Sequence, residues 1–304
     1  MELRHLHYFI AVAEELHFSR AANRLNMAQP PLSQQIQNLE TEIGVPLFYR
    51  TKRQVELTGA GKVFLEKAYQ ITADVEKACV AAQNTHQGKL GRLIVGFTGI
   101  ATFNMLPRLI PAYRAMYPFV ELTLRQLGTT DQVQALLKEE LQVGILCLPV
   151  VASELNFEIV CRDSFVVALP KDHPLAAESH IDVQQLAPES FIMTTRKVGE
   201  GYHDGIINIC RRAGFEPRIS QEVHELQTSV SLVAAGMGIA LLPGSIQELN
   251  IKGVVYRRIK NAIPPLETAI AWNKNQKSPS VENFLALARS VAASIATPES
   301  LYSL

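Results

Sequence analysis

Apolar residues in the first part of the chain recur every three or four positions, which is typical of short amphipathic helices. The spacing predicts a first helix over residues 3–13 and a second, shorter helix for which the Ser19 hydroxyl is the expected N-cap. A third helix is expected to open at Pro30-Pro31, where a missing N–H group costs least, and to end at Gly44. The pattern therefore predicts three short helices in succession.

The polar face of the third helix carries short amides and a hydroxyl, whereas an ordinary solvated face is rich in lysine and glutamate. Amides donate and accept hydrogen bonds at once, which suits base edges and phosphate oxygens in a major groove of DNA. The alternative is a plain polar surface, and composition alone does not separate the two. The residues on this face are Gln29, Ser33, Gln34 and Gln37.

A short basic segment follows, between two stretches in which apolar and polar residues alternate. This pattern predicts a small β-hairpin, or wing, with Arg50, Lys52 and Arg53 at its tip. Residues 1–58 hold six lysines and arginines against six glutamates, so the wing is the one concentrated basic patch there. A helix-turn-helix with a wing fits this region better than any enzyme motif.

Residues 59–88 predict one long helix with an apolar seam spaced by four and three, as in a coiled coil. Such a helix has nothing of its own to pack on, so dimerisation through the seam is expected. The alternative is a helix that folds back on its own domain. The seam consists of Phe64, Ala68, Ile71, Val75, Ala78 and Ala82.

From about residue 90 onward, strand-length apolar runs alternate with helical stretches, which predicts two successive α/β units with parallel sheets. If two such units are hinged, a ligand is expected at the carboxyl ends of the strands, where helix N-termini direct N–H groups at an anion. Thr98, Thr102 and Thr129 fall at such ends and offer hydroxyls to a carboxylate. Thr102 and Thr129 are equally interpreted as ordinary N-caps, a role compatible with ligand binding.

Composition narrows the class of protein. Of 304 residues 47% are apolar, and 29 Lys and Arg balance 29 Asp and Glu, which excludes a disordered chain and a generically basic nucleic-acid coat protein. The longest apolar stretch, residues 230–243, is too short to span a membrane, and the N-terminus lacks the apolar run of a signal peptide. Four cysteines form no CxxC pair. A cytoplasmic protein with no metal or other cofactor is expected.

Two stretches of the chain resemble the LysR-type transcriptional regulators. Residues 1–40 read MELRHLHYFIAVAEELHFSRAANRLNMAQPPLSQQIQNLE, which is similar to the helix-turn-helix of that family, and residues 43–61 read IGVPLFYRTKRQVELTGAG, which is similar to its wing. The C-terminal half is matched more loosely, by LIVGF, by GIL at 144–146 and by AAGMGIALLP at 234–243. Within the family, the sequence most resembles regulators of aromatic-acid catabolism or acetoin synthesis, which respond to small carboxylates.

The resemblance implies an α+β multidomain protein. A winged helix-turn-helix DNA-binding domain would occupy residues 1–58 and a linker (dimerisation) helix residues 59–88. A two-lobed α/β effector domain, similar to periplasmic binding proteins, would follow, with one subdomain in 89–161 and 266–304 and the other in 162–265. The implied partners are double-stranded DNA with dyad symmetry, a small-molecule effector and further copies of the chain in a dimer of dimers, with RNA polymerase as a further candidate.

Carried over residue by residue, the resemblance implies a set of DNA contacts. Many members have Ser or Thr where this chain has Ala28, so a cap worth about 1 kcal/mol is lost. Many have Arg where this chain has Gln34, which predicts an affinity for DNA that depends less on salt. The implied major-groove residues are Gln29, Pro30, Pro31, Ser33, Gln34 and Gln37, and the implied wing contacts to the DNA backbone and minor groove are Arg50, Lys52 and Arg53.

The same comparison implies an effector site between the two lobes. Carboxylate-responsive relatives usually carry Ser at one of the positions of Gly99 and Ile100, and some have Arg at the position of Cys147. Both departures lower the polarity of the site, which predicts an anion smaller than a dicarboxylate, or an uncharged or largely apolar effector. The implied lining residues are Thr98, Gly99, Ile100, Thr102, Thr129, Cys147, Thr195, Tyr202 and Gln227.

Two other classes of protein compete with a regulator. A solute-binding component would share the two-lobed pattern, but the unit in residues 1–58 and the lack of an export signal argue against it. A cytoplasmic α/β enzyme acting on a small acid would need a nucleophile or an acid–base pair in the cleft. The stretches expected to line the cleft offer Thr, Gly, Ile and Cys147 instead, so no enzymatic activity is expected.

Overall fold

The computed structural model describes residues 1–51 and 54–295. The chain divides into two compact units, an N-terminal unit, Met1–Asn84, and a C-terminal unit that begins at Thr85. Lys52 and Arg53 of the predicted wing lie outside the described residues. Among the residues described, no helix is long and apolar enough to cross a membrane.

The N-terminal unit is a helical domain followed by a hairpin and a long helix. Phe9, Leu32, Ile36 and Leu39 are fully buried in one core, as the three- and four-residue spacing predicts. The elements are α1 (Leu3–Glu15), α2 (Phe18–Arg24), α3 (Gln29–Ile43), the antiparallel pair β1 (Phe48–Arg50) and β2 (Val55–Leu57), and α4 (Gly59–His86).

Helix termini in this unit follow the sequence in most respects. Helix α3 starts at Gln29 with both prolines in its first turn, has no side-chain cap at Ala28, and ends at Gly44 with φ of 83°. The prediction for α2 was wrong, because the N-cap is His17 and not Ser19. The His17 ring accepts hydrogen bonds from the backbone N–H groups of Ser19 and Arg20, at 3.2 and 3.4 Å, so Ser19 lies inside the first turn.

The apolar seam of α4 is divided between two environments. Ala68 is buried in the core of the N-terminal unit and Phe64 packs against the same core. Ile71 and Val75 are 42% and 37% exposed, and Ala78 and Ala82 are exposed as well. The first part of the seam therefore folds onto its own domain, while the second part has no partner among the described residues of the single chain.

The C-terminal unit contains two lobes. Lobe I is built on a sheet of order β4-β3-β5-β13-β6, in which β3, β4 and β5 run parallel and β13 is antiparallel to both β5 and β6. Its strands are β3 (Leu90–Phe97), β4 (Phe119–Gln126), β5 (Val143–Cys147), β6 (Leu155–Asp163) and β13 (Leu266–Asn273). Its helices are α5 (Ala101–Asn104), α6 (Leu106–Met116), α7 (Thr129–Leu137) and α10 (Pro279–Ile295).

Lobe II combines a mixed sheet of order β11-β7-β12-β8 with a parallel pair, β9 and β10. Its strands are β7 (Phe165–Pro170), β8 (His180–Ile181), β9 (Ser190–Thr194), β10 (Arg218–Val223), β11 (Ala240–Pro243) and β12 (Val254–Ile259). Its helices are α8 (Glu200–Arg212) and α9 (Leu226–Ala234), with short 3-10 helices at Pro174–Ala177, Val183–Leu186 and Gly244–Leu249.

The expectation of two parallel sheets was wrong for part of each lobe. The chain passes from lobe I to lobe II between β6 and β7, and it returns between β12 and β13. In lobe I, β13 enters the sheet from the opposite direction and therefore pairs antiparallel with β5 and β6. In lobe II, β7 pairs antiparallel with β11 and β12. Two crossings of the chain thus join the lobes side by side.

Candidate functional site

The polar face of α3 is accessible in the N-terminal unit. Leu32, Ile36 and Leu39 point into the core, so the opposite face of the helix is directed outward. Of the residues predicted there, Ser33 is half-buried and the others are exposed: Gln29, Pro30, Pro31, Gln34 and Gln37. The structure therefore brings the predicted major-groove residues together on one surface.

The amides on this surface differ in their hydrogen bonds. The Gln34 Nε2 group donates to Asn38 Oδ1 at 2.9 Å, which fixes the side chain along the helix. The side-chain amides of Gln29 and Gln37 form no hydrogen bond with other described residues, so both their donors and their acceptors are open. Groups of this kind can pair with the donor and acceptor edges of bases.

Arg50 is held against the domain rather than extended from the wing. Its guanidinium forms an ion pair with Glu40 at 2.5 Å and stacks over the Phe18 ring, with 5.1 Å from Cζ to the ring centroid. The Glu40 carboxylate also accepts hydrogen bonds from the backbone N–H groups of Leu47 and Phe48. Glu40 and Arg50 thereby connect the wing to α3. The sequence did not indicate this structural role.

A cavity of about 330 Å³ lies between lobes I and II. Each lobe contributes the ends of strands and the starts of helices to its wall. Six of the nine predicted effector residues line it, namely Thr98, Gly99, Ile100, Thr129, Cys147 and Tyr202. The other three, Thr102, Thr195 and Gln227, are not among its lining residues.

Local geometry accounts for the three residues outside the lining. The Thr102 hydroxyl donates to the carbonyl of Gly99 at 2.5 Å, so its donor is already used within the chain. Thr195 lies one residue past the end of β9, and the last residue of that strand, Thr194, lines the cavity instead. Gln227 is exposed at the second position of α9, past the residues that face the cavity.

Further lining residues escaped the sequence analysis. Thr98 was predicted because it follows a strand and precedes a helix. The same rule applies to the residues after β9 and β10. The alternation of apolar and polar residues in β4 did not indicate that its last residue, Gln126, lines a cavity. The side chains concerned are Gln126, Asp131, Thr194, Lys197, His224 and Glu225.

Three helices start at the cavity without a side-chain cap. The N-cap residues of α7, α8 and α9 are Gly128, Gly199 and Glu225, and none of them forms a capping hydrogen bond through its side chain. Thr129 and Thr102 are therefore not N-caps, since they lie in the first turns of α7 and α5. Free N–H groups and the positive ends of three helix dipoles favour an anion in the cavity.

The side chain of Gln132 holds α7 against β5 and against the residue that follows β4. This side chain is fully buried, and its Nε2 group donates to the carbonyls of Leu127 and Ile145, at 2.9 and 3.2 Å. A Cβ atom at Gly96 or Gly144 would lie only 3.0 or 2.9 Å from Gln132 Oε1. Glycine at both positions thus gives Gln132 the space to set the direction of the first turn of α7.

The inner wall of the cavity offers neutral hydrogen-bonding groups. Thr129 Oγ1 accepts a hydrogen bond from the backbone N–H of Cys147 at 3.4 Å, and the Thr98 hydroxyl lies 3.8 Å from Cys147 Sγ. Burial raises the pKa of the Cys147 thiol to about 11. Burial likewise raises the pKa of Tyr202 well above its ordinary value, and its hydroxyl donates to the carbonyl of Leu241 at 2.8 Å. Both groups are protonated at neutral pH, so neither is a ready nucleophile or base.

Within residues 1–51 and 54–295, no group of three or more His, Cys, Asp or Glu side chains is arranged to hold a metal ion. The three buried cysteines, Cys147, Cys161 and Cys210, are free thiols. The uncapped helices and the neutral hydroxyl groups of the cavity wall suit binding of a small molecule.

Comparison with known proteins assigns both units. Residues 3–62 match the family described as bacterial regulatory helix-turn-helix protein, lysR family, and residues 86–293 match the LysR substrate binding domain. The chain is 41% identical over 285 residues to the HTH-type transcriptional regulator AlsR of Bacillus subtilis (strain 168), with 94% of each chain covered. It is 36% identical to the Hca operon transcriptional activator HcaR of Escherichia coli (strain K12), over 97% of this chain and 99% of HcaR.

Solved structures agree with this assignment. Full-length CbnR complexed with its target DNA is 26% identical, with a TM-score of 0.86 over 96% of this chain and 100% of CbnR. Full-length BenM is 30% identical, with a TM-score of 0.62 and 97% of each chain covered.

The predicted fold class and family are confirmed by these matches, and the relatives are regulators rather than enzymes or solute-binding components. Regulators of this family bind DNA and small-molecule effectors and form oligomers. The helix-turn-helix unit and the two-lobed unit with its cavity together cover nearly all of the described chain. This chain belongs to the LysR family of DNA-binding transcriptional regulators and carries an effector-binding domain.

Proposed function

We propose that this regulator binds a promoter operator with dyad symmetry and changes transcription when a small organic acid occupies the cavity between its lobes. It acts in the cytoplasm, where its DNA is, as a dimer through α4 and as a tetramer formed by two such dimers. RNA polymerase is a further partner in this proposal. Residues 1–58 bind DNA, residues 59–88 dimerise, and residues 89–161 with 266–304 and 162–265 form the two lobes of the effector domain.

The exposed polar face of α3 supports the DNA side of the proposal. Gln29 and Gln37, whose side-chain amides have no hydrogen-bond partner in the described chain, contact base edges in the major groove. The side-chain amide of Gln34 also donates a hydrogen bond to Asn38. Pro30, Pro31 and Ser33 lie beside them and let the start of α3 approach the DNA backbone. At the wing, Arg50 positions the hairpin, and Lys52 and Arg53 supply the positive charge for the DNA backbone and the minor groove.

The proposal of an effector site depends on one observation, which is that three uncapped helix N-termini converge on one cavity. Their N–H groups and the nearby hydroxyls of Thr98 and Thr129 are suited to an oxyanion, and Lys197 adds a positive charge. A volume of about 330 Å³ is near the lower end of the range for small-molecule sites, which suits a small acid. Asp131 and Glu225 in the same wall disfavour a second carboxylate.

A matched pair of threonine substitutions tests this assignment. Thr129 lines the cavity, whereas Thr130 follows it in the same helical turn, is exposed and lies outside the lining. The probe is the tightest-binding member of a panel of monocarboxylic acids that runs from acetate to benzoate, measured by calorimetry on the full chain. We expect Thr129→Val to weaken acid binding about tenfold and Thr130→Val to leave it unchanged.

DNA binding serves as the internal control for both variants. Affinity for an operator fragment should be the same in Thr129→Val, Thr130→Val and the unaltered protein, because both residues lie in the C-terminal unit. Equal acid affinity in all three proteins, or a panel in which no acid binds, would contradict the proposed effector site.

A further inference from the structure

A hydrogen bond joins the two lobes at the mouth of the cavity. The Gln126 Nε2 group donates to both carboxylate oxygens of Glu225, at 3.2 and 3.1 Å. Gln126 is the last residue of β4 in lobe I, and Glu225 is the N-cap residue of α9 in lobe II. The two residues are 99 positions apart in the sequence and both line the cavity.

The Glu225 carboxylate has unused acceptor capacity. An ionised carboxylate offers about four acceptor positions, and this one receives a single neutral N–H₂ group within the described residues. Lys197 and His224 also line the cavity, but neither forms an ion pair with Glu225. Glu225 therefore faces the cavity as a negative charge without a cationic partner in the described chain.

Residue 99 is a glycine and contributes no side chain to the space beside this carboxylate. A Cβ atom on Gly99 would lie 3.6 Å from Glu225 Oε2 and 3.8 Å from Gln126 Nε2. The glycine therefore leaves the hydrogen-bonded pair open from the side of β3. A ligand that enters the cavity can reach Glu225 at the point where Gln126 now binds it.

The cavity thus combines a site for an anion with a free acceptor. A simple carboxylic acid placed at the helix N-termini would bring a second negative charge close to Glu225, and repulsion would weaken its binding. A ligand that also carries a hydrogen-bond donor would turn the same carboxylate into an attractive contact, since hydrogen bonds to charged groups are the stronger ones.

We propose that the effector is an acid with a hydroxyl or ammonium group, and that this donor binds the Glu225 carboxylate in place of Gln126. The inference rests on the proposed function, since it assumes that a small acid occupies the cavity. It adds a polar specificity group at the start of α9, on the lobe II side of the cavity. Binding exchanges one contact between the lobes for a contact between lobe II and the effector.

Matched acids test the proposal on the full chain. The probes are propionate, lactate and alanine, and in parallel butyrate, 3-hydroxybutyrate and 3-aminobutyrate, titrated by calorimetry at millimolar concentration. Within each series the members differ only in the donor, so a difference in affinity reports the donor alone. We expect the hydroxy or the amino acid to bind at least about tenfold more tightly than the unsubstituted acid. The hydroxyl and ammonium arms distinguish the two kinds of donor.

Two glutamate variants locate the donor contact. Glu225→Gln removes the negative charge at the cavity, and Glu222→Gln makes the same change on β10, at an exposed residue outside the lining. In Glu225→Gln the unsubstituted acids should bind more tightly, because repulsion is removed, and the advantage of the donor should fall to less than about threefold. Glu222→Gln should reproduce the unaltered protein in both respects.

The outcomes separate this inference from the proposed function. If the acids bind with no preference for a donor, or if the preference persists in Glu225→Gln, the donor contact is wrong while the acid site stands. If no acid of either series binds, the proposed acid effector is wrong, and the donor contact is wrong with it.

Discussion

Cys147 illustrates how burial determines the chemistry of a single side chain in the cavity wall. The thiol lies at the end of β5, is almost fully buried and has a pKa raised to about 11 by that burial. The hydroxyl of Thr98 lies 3.8 Å from the sulfur atom, and the hydroxyl of Thr268 is a second neighbour of the thiol. A thiol in this environment behaves as a small apolar group with a weak donor. Cys147 therefore shapes the cavity and does not react in it.

Thiol reactivity should distinguish one cysteine from the other three. Burial raises the pKa values of Cys147 and Cys161 to about 11 and that of Cys210 to about 12, whereas Cys79 is exposed on α4. Because the thiolate is the reactive form, Ellman's reagent at mildly alkaline pH should modify one thiol rapidly and the others only on unfolding. Cys79→Ser should abolish the rapid phase, and loss of that phase in Cys147→Ser instead would refute this account of the cavity wall.

Two tyrosines in the C-terminal unit provide a matched test of buried hydrogen bonds. The Tyr202 hydroxyl donates to the Leu241 carbonyl at 2.8 Å, while the Tyr113 hydroxyl reaches the Ser280 carbonyl only at 3.5 Å. Tyr202→Phe should lower the free energy of unfolding by about 1–2 kcal/mol, and Tyr113→Phe should have the smaller effect. Urea denaturation measures both values, and a larger loss in Tyr113→Phe would be inconsistent with the geometry described.

At the scale of elements, α4 is the helix whose surroundings the single chain leaves incomplete. Its first seam residues, Phe64 and Ala68, pack on the core of the N-terminal unit, but Ile71 and Val75 remain exposed. A regular apolar seam gains stability only when another surface covers it. The second half of the seam is therefore the surface through which we propose that two copies of the chain associate.

Charge substitutions on and beside the seam test this dimer. Val75 lies on the seam and is 37% exposed, while Val80 is 53% exposed on a different face of the same helix. Val75→Glu should convert the dimer to a monomer at micromolar concentration, since it buries a charge in the interface. Val80→Glu should leave the oligomeric state unchanged. Sedimentation velocity measures the outcome, and a dimer that survives Val75→Glu would exclude this seam.

Elements were predictable from the sequence wherever local rules determine them. The three helices of the N-terminal unit, the prolines in the first turn of α3 and Gly44 at its end all follow from spacing and backbone constraints. Strand direction did not follow, because β13 pairs with strands that precede it by more than a hundred residues. Periodicity also cannot show where the chain crosses between the lobes, which it does after β6 and after β12.

The residues of the candidate site that directly follow a strand could be predicted from the sequence. Thr98 and Thr129 were found because each follows a recognisable strand, and both line the cavity. Thr195 is not in the lining because β9 ends one residue earlier, at Thr194, which lines the cavity itself. The contact of Gln126 with Glu225 joins distant parts of the chain and leaves no local pattern.

At the scale of the whole molecule, equal numbers of basic and acidic residues limit the role of overall charge. With 29 of each, electrostatic attraction to DNA must come from local groups, and Arg50 is already paired with Glu40. Each phosphate contact contributes about 0.9 to the slope of log affinity against log salt. The dependence of DNA binding on salt should therefore be shallow for a regulator of this size.

Substitution of Gln34 tests the link between local charge and salt dependence. Gln34 is exposed on the polar face of α3 and is bonded only to Asn38 among the described side chains. Gln34→Arg should steepen the salt slope by about one unit for each half-site if the new guanidinium meets a phosphate. Fluorescence anisotropy at several salt concentrations measures the slope. An unchanged slope would place residue 34 away from the DNA backbone.

The most direct test of the central claim is a footprint on the DNA immediately upstream of the start codon of the gene, with competitor DNA present. We expect an extended protected stretch with dyad symmetry and half-sites about one helical turn apart. Addition of the tightest-binding acid should change that stretch in the unaltered protein and in Thr130→Val, but not in Thr129→Val. Absence of protection in the presence of competitor, or an identical response to the acid in Thr129→Val, would contradict the account.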